Sequence, residues 1–397
     1  MITWESFDEL STHPKYFVNP EDINILQEVT LMKPILYLAF IVLNVILAQP
    51  DAMAQKPYNE LQINHVNLKK YPEHITVHEP GVEVTIGDLH GNALKLLNFL
   101  IRNDVVKITK EDYNLFVSIY EKSPDDLTVK DLAYFQVLLN AAKINSQHKI
   151  RFLGDDLCDR GMNDYYTLQL YKKLDMAGVP FDVVLSNHGN FFLSAYERPE
   201  QSFSFNPYGE GENESTVQSM LHLGRIIDRG IIERQDVLDI IQNHYLKHLV
   251  FPGYTHNKQK NELTVYSHAP IDLGILAELA KDLKTPYNDS NLAELTKGFD
   301  SINHQIHQWI MSRTFTVHYN QLNEDHKKSN TQSPIKQVLW NRDYTILHRD
   351  HEPTGKHFFV NYVHGHDSMP NVFNLDNLFG KGNDNYTGPY AIHVTHS

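Results

Sequence analysis

The stretch IRFLGDDLCDRGMNDY, residues Ile150 to Tyr165, decides how the chain is read. A short apolar run (Ile150, Phe152, Leu153) stops at Gly154, and Asp155, Asp156, Asp159 and Arg160 follow before Gly161. A β-strand that ends in glycine and carboxylates puts anionic oxygens at its C-terminal edge, where α/β proteins build their sites. Carboxylates this close repel one another unless a cation joins them. Arg160 adds a planar donor fork suited to phosphate. The cluster therefore suggests a metal and a phosphate together, against the plainer reading of an Asp-rich surface turn.

Four other segments share this grammar. Val82, Val84 and Ile86 lead into Gly87-Asp88-Leu89-His90-Gly91, and Val183, Val184 and Leu185 lead into Ser186-Asn187-His188-Gly189-Asn190. Leu263 and Val265 precede Tyr266-Ser267-His268, and Phe359, Val360 and Val363 precede His364-Gly365-His366-Asp367. Each is a period-two apolar run with a polar tip. Helical patterns follow three of the tips, at 92–102, 163–176 and 191–196. Repeated βα steps imply an α/β fold.

In this order the segments resemble the calcineurin-like metallophosphoesterases, and within them the phosphoprotein phosphatase family, over about Val82 to Asp367. The resemblance implies a four-layer α-β-β-α sandwich, two packed mixed sheets flanked by helices. It also implies two divalent metal ions, Mn²⁺ first, with Fe or Zn as alternatives. Asp88 and His90 match the ligands of the first metal, and Asn187, His268 and His366 those of the second. His188 resembles the general acid, Asp159 the carboxylate that orients it, and Arg160 and Arg342 the phosphate-binding arginines. The ligand set contains no sulfur, which suits Mn, Fe or Zn over a soft metal. The implied reaction is hydrolysis of phosphomonoesters, on phosphoproteins or small phosphate esters. The alternatives are a diadenosine-tetraphosphate-type nucleotide hydrolase and an inactive phosphate-binding scaffold.

Three departures from the family pattern stand out. The second motif, GDDLCDRG, is one residue longer than usual, so the bridging carboxylate is Asp155 counted from the strand or Asp156 counted back from Asp159. Strand register favours Asp155. The third motif begins with Ser186 and has Gly189 where an acid is usual. The third is the long gap from Asp88 to Asp155 (155 − 88 = 67 positions). Its excess, 104–147, has helical periodicity at Leu127, Leu132, Phe135, Leu138 and Leu139 and reads as an inserted helical cap.

Composition narrows the class. A chain of 397 residues with 41% hydrophobic and 11% aromatic residues can bury a core, and a net charge of −14 lacks the basic footprint of a nucleic-acid binder. The single cysteine, Cys158, excludes an intramolecular disulfide and a multi-thiolate zinc site. Among the 23 histidines, His222, His244 and His248 follow no strand and read as core or surface residues. The helical reading continues over 217–249, 273–283 and 292–313, while 323–334 reads as a solvated loop.

The N-terminal region is separate. From Met32 the chain reads MKPILYLAFIVLNVILAQPDAMAQ, with one lysine, an apolar run and Ala52-Met53-Ala54. That is the grammar of a secretory signal peptide over 32–54, and the apolar run is short for a membrane span. Residues 1–31 then read as an upstream extension and 55–397 as the catalytic domain. Cleavage would leave no stable membrane insertion and an exported protein, periplasmic or secreted. A single transmembrane anchor or a buried helix is the rival reading, with the protein then anchored or cytoplasmic.

Overall fold

A computed structural model describes residues 59–198, 205, 214–343, 349–350, 357–367, 373–382 and 385–396. The hydrophobic stretch at 32–54 lies outside them. Twelve strands lie among the described residues: β1 (Asn59–Asn67), β2 (Val82–Ile86), β3 (Val106–Lys107), β4 (Lys143–Ile144), β5 (Lys149–Phe152), β6 (Phe181–Val184), β7 (Leu249–Val250), β8 (Gly253–Asn257), β9 (Glu262–Ser267), β10 (Arg349–Asp350), β11 (Phe359–His364) and β12 (Thr387–His396). Six join in the order β1-β12-β2-β5-β6-β7, four in the order β10-β11-β9-β8, and β3 pairs with β4.

The two larger sheets are mixed. β2, β5, β6 and β7 run parallel, and β12 and β1 close that sheet antiparallel. In the second sheet β9 and β11 are parallel, with antiparallel strands outside them. Register then aligns the tips. Ile86 pairs with Phe152 and Phe152 with Val183, so the turns after β2, β5 and β6 leave from one edge. His364 pairs with Ser267, so His268 and Gly365 leave side by side from the other sheet.

Arg151 joins the two sheets. It is 1% exposed, and its guanidinium donates to Glu83 and Asp182, each at 3.1 Å, in its own sheet. It also donates to the Tyr254 carbonyl and stacks 3.9 Å from the Tyr266 ring centre in the other. Gly253 leaves the room: a Cβ there would sit 2.9 Å from Arg151 Nε. The Tyr266 and Thr395 hydroxyls, 2.6 Å apart, link the sheets a second time.

Eleven α-helices lie among the described residues: α1 (Ala93–Arg102), α2 (Lys110–Tyr120), α3 (Val129–Ala141), α4 (Asp164–Met176), α5 (Asn187–Tyr196), α6 (Gln218–Asp228), α7 (Arg234–Ile240), α8 (Leu273–Leu283), α9 (Leu292–Met311), α10 (Phe315–Lys328) and α11 (Pro334–Trp340). The segment 104–147 contains α2 and α3, capped by Thr109 and Thr128. Phe116 and Phe135 stack at 5.1 Å, and Phe135 meets Tyr166 of α4 at 5.0 Å. Tyr120 OH accepts from the Met162 N–H at 3.1 Å, so the segment grips the loop after Asp159.

Three boundaries differ from the sequence reading. α5 begins at Asn187, not Phe191, because Ser186 Oγ caps it by accepting the Gly189 N–H at 2.9 Å. Much of the expected loop at 323–334 is helix: α10 continues to Lys328, where Gln321–Asp325 and Lys328–Asp325 pairs support a polar exposed turn. The stretch 217–249 is broken at Gly230, which has φ +68°, and it ends in the first residue of β7.

Replacing Arg151 with alanine leaves Glu83 and Asp182 without their shared cation. Urea unfolding should show a loss of about 3–5 kcal/mol.

Candidate metal and phosphate site

The strand tips deliver their polar side chains into one buried cluster. Asp88 is 1% exposed, and its carboxylate oxygens accept the His366 N–H at 3.2 and 3.1 Å. A Cβ on Gly365 would overlap the Asp88 carboxylate, so only glycine allows the two loops to meet there. His90 Nδ1 is 3.4 Å from Asp159 Oδ2, and its Nε2 is 3.4 Å from Asp376 Oδ1 and 2.7 Å from the Asn377 carbonyl. Asp155 is held by its N–H, which donates to Ser186 Oγ at 2.9 Å, and its Oδ1 lies 3.5 Å from His268 Nε2.

Backbone strain accompanies this convergence. His90, Asp155, Cys158 and His366 all have positive φ, between 47° and 71°. Such conformations cost non-glycine residues on the order of 1–3 kcal/mol each and persist where surrounding contacts impose them.

The histidines are oriented from behind. His268 Nδ1 faces the Leu153 carbonyl at 2.8 Å, so the neutral ring donates there and its Nε2 is a bare acceptor. Burial lowers the His268 pKa, which favours that neutral form. The Nε2 lone pair points at another acceptor, Asn187 Oδ1, 2.7 Å away, with His366 Nδ1 at 2.9 Å. Burial, with His268 and Arg342 nearby, pushes the His366 pKa down to about 2.

These features suit a divalent cation. The ligand-type atoms of Asp88–His90–Asp376, Asp88–Asp155–His268 and His90–Asp155–Asp159 form three overlapping groups, each within 4.8 Å. Asp155 Oδ1, Asp159 Oδ2, Asp376 Oδ1, His90 Nδ1 and His366 Nε2 are buried without a hydrogen-bond partner. Burial holds the Asp88 carboxyl well above its usual range, and repulsion from Asp376 and Asp155 adds to this. Buried acceptors that face one another are costly unless a cation joins them.

A cavity of about 210 Å³ opens over the cluster, lined by Asp88, Asp155, Arg160, Asn187, His188, Phe191, Thr216, Trp340, Arg342, His366, Asp367, Asp376 and Lys381. Arg160 Nη1 donates to Asp159 Oδ1 at 2.6 Å, and Arg342 Nε to Asp367 Oδ2 at 2.7 Å. Each arginine is thus anchored by an acid, and both line the cavity.

All ten residues singled out from sequence converge here. Of the two adjacent acids, Asp155 faces the cluster, while Asp156 turns to the Tyr245 and Tyr171 hydroxyls. Burial raises the Asp156 carboxyl to about 7. One expected contact is different. His188 Nδ1 is 2.6 Å from the Cys158 carbonyl, whereas Asp159 Oδ1 is 3.7 Å from the other ring nitrogen. The left-handed turn at Cys158 aims that carbonyl, so the backbone and not Asp159 sets the tautomer. Burial alone would raise the Asp159 pKa, but His188, His90 and Arg160 outweigh it and hold this carboxyl below its usual range. Burial pushes the Cys158 thiol well up, which suits a packing residue and not a nucleophile. His222 bonds the Met162 carbonyl, and His244 and His248 bond Asp175, all away from the cluster.

Sequence reading missed three residues. Asp376 follows no strand and gave no signal. Lys95 was legible as a lysine on the buried face of α1; its Nζ donates to the carbonyls of Asp88 at 2.6 Å and Phe379 at 2.8 Å. Ser186 departs from the family's glycine, yet it both caps α5 and holds Asp155.

The comparisons with known proteins describe a phosphatase, a hydrolase acting on phosphate esters. The family described as WipA-like, phosphatase domain, matches residues 149–381, so the chain belongs to that family. The crystal structure of the phosphatase domain from the Legionella effector WipB is similar to this chain with a TM-score of 0.60 and 27% sequence identity. That match covers 72% of this chain and 100% of the other. No curated protein matches. The family match begins at β5, so Asp88 and His90 enter the site from outside it.

Asp376→Asn should weaken Mn²⁺ binding by about 10–100-fold, the usual cost of losing a carboxylate that supports a ligand histidine. Metal content after dialysis against graded Mn²⁺, by elemental analysis, checks this.

Proposed function

We propose that this protein is a dinuclear-metal phosphatase of the calcineurin-like, phosphoprotein phosphatase type, acting on phosphoproteins within a four-layer α-β-β-α sandwich that carries residues 104–147 as a helical cap. The observation that carries the reading is the buried set of unpartnered acceptors around Asp88 and Asp155. Asp88 and His90 would hold one divalent ion, Mn²⁺ being the first choice, and Asn187, His268 and His366 the other, with Asp155 shared between them. Ions bound there would supply positive charge against the phosphoryl oxygens and lower the pKa of water.

The chain's own groups do the remaining work. Arg160 and Arg342 grip the non-bridging oxygens, and the acids that anchor them restrict the guanidinium planes. His188 keeps Nδ1–H on the Cys158 carbonyl, which directs Nε2 to the cavity, where it delivers a proton to the leaving oxygen. The Asp159 carboxylate stands 3.7 Å from that nitrogen and places negative charge beside it. Phe191 and Trp340 wall the cavity with apolar surface and strengthen these interactions by excluding water.

Among the described residues no helix is long and apolar enough to cross a membrane. Export with cleavage before Gln55 is part of the proposal, and mass spectrometry of the native N-terminus tests it. An intact Met1 on soluble cytosolic protein would rule it out.

Purified Gln55–Ser397 should hydrolyse an aryl phosphate only with added metal, and Asp88→Asn, Asp155→Asn or His268→Ala should abolish turnover while circular dichroism stays unchanged. His188→Asn should slow the reaction by about 10²–10⁴-fold, most on poor leaving groups. A folded, metal-loaded protein without turnover would point to the phosphate-binding scaffold instead.

A further inference from the structure

A larger cavity, about 830 Å³, runs along α10 and α11 and shares two lining residues, Trp340 and Arg342, with the pocket over the cluster. Trp340 forms the wall between them. Its ring meets Phe191 at 5.5 Å and His366 at 6.0 Å. The groove is lined mainly by amides and hydroxyls. Two of their oxygens are buried without a partner, Asn323 Oδ1 and Ser333 Oγ. Ser333 is only 7% exposed, and its hydroxyl does not cap α11. A buried hydroxyl left unpaired is costly, and a ligand donating or accepting there would recover that cost.

Charge narrows the ligand. Lys327, Lys336 and Arg342 line the groove against one acid among its described residues, Glu324, in a chain of net charge −14. Lys327 is paired with Glu324 and Arg342 with Asp367, while Lys336 is exposed and has no ion pair among the described residues. Alternating amide donors and acceptors suit the N–H and C=O groups of an extended main chain. We infer that the groove holds the polypeptide flanking the phosphorylated residue and selects acidic side chains there through Lys336. This rests on the phosphatase reading above and adds to it where the flanking peptide lies and which side chains it carries.

The test compares a phosphoserine peptide with flanking aspartates, the same peptide with asparagines in their place, and p-nitrophenyl phosphate, on wild type, Lys336→Glu and Lys336→Arg. In Lys336→Glu the ratio of kcat/KM for the acidic peptide to that for p-nitrophenyl phosphate should fall at least tenfold, mostly through KM. The loss should be smaller for the asparagine peptide, and Lys336→Arg should keep the wild-type ratio. An unchanged ratio, or equal losses on both peptides, overturns the inference. If wild type hydrolyses none of the three, the phosphatase reading fails, and fluorescence anisotropy of the labelled acidic peptide still decides the groove. Binding that weakens tenfold in Lys336→Glu upholds it; absent or unaltered binding overturns it.

Discussion

The structure depends on keeping several carboxylates together in a place without enough positive charge of its own. Asp88, Asp155, Asp159 and Asp376 are drawn to one junction between two sheets, and most of their surface is hidden from water. Lys95, Arg160 and Lys381 are cations of the chain beside them, and none reaches every oxygen. Desolvated like charges disfavour the folded state unless something else is bound among them. The cluster is therefore a weak point of the fold that a bound cation would relieve. Folding energy gathered elsewhere holds these groups in place.

That energy comes from parts of the molecule with no chemical role. Arg151 ties the sheets behind the site, so the two sets of strand tips cannot drift apart. The helical segment at 104–147 packs aromatic rings on α4 and fixes the loop after Asp159 through Tyr120. Ser186 joins the start of α5 to the Asp155 backbone. Each contact is ordinary alone. Together they impose the left-handed turns at His90, Asp155, Cys158 and His366, which the loops would not adopt unaided.

The groups that line the pocket come from two parts of the fold. The acceptor cluster hangs from strand ends, whereas Trp340 and Arg342 come from the end of α11 and the segment beyond it. The two parts are tied together, because Asn341 donates to the Pro270 carbonyl two residues after His268 at 2.8 Å.

The α/β class, the five strand tips, the nine candidate residues they deliver and Arg342 beyond α11 were legible in sequence. Each tip is a local pattern, a period-two run stopped by glycine and polar residues, and local patterns survive in a linear text. The choice between Asp155 and Asp156 was less secure, because a loop one residue longer can place the extra residue at either end. Asp156 turns away only because Tyr171 and Tyr245 stand behind it, one on α4 and the other after α7. The contact of His188 with the Cys158 carbonyl, the place of Asp376 beside His90, and the groove shared by Trp340 and Arg342 had no counterpart in sequence. All three join residues distant in the chain, or depend on which way a backbone carbonyl points. The sequence by itself determined which chemical groups stand at the ends of the strands; the packing of two sheets decided which of them meet, because only the folded chain brings Asp88 within reach of His366.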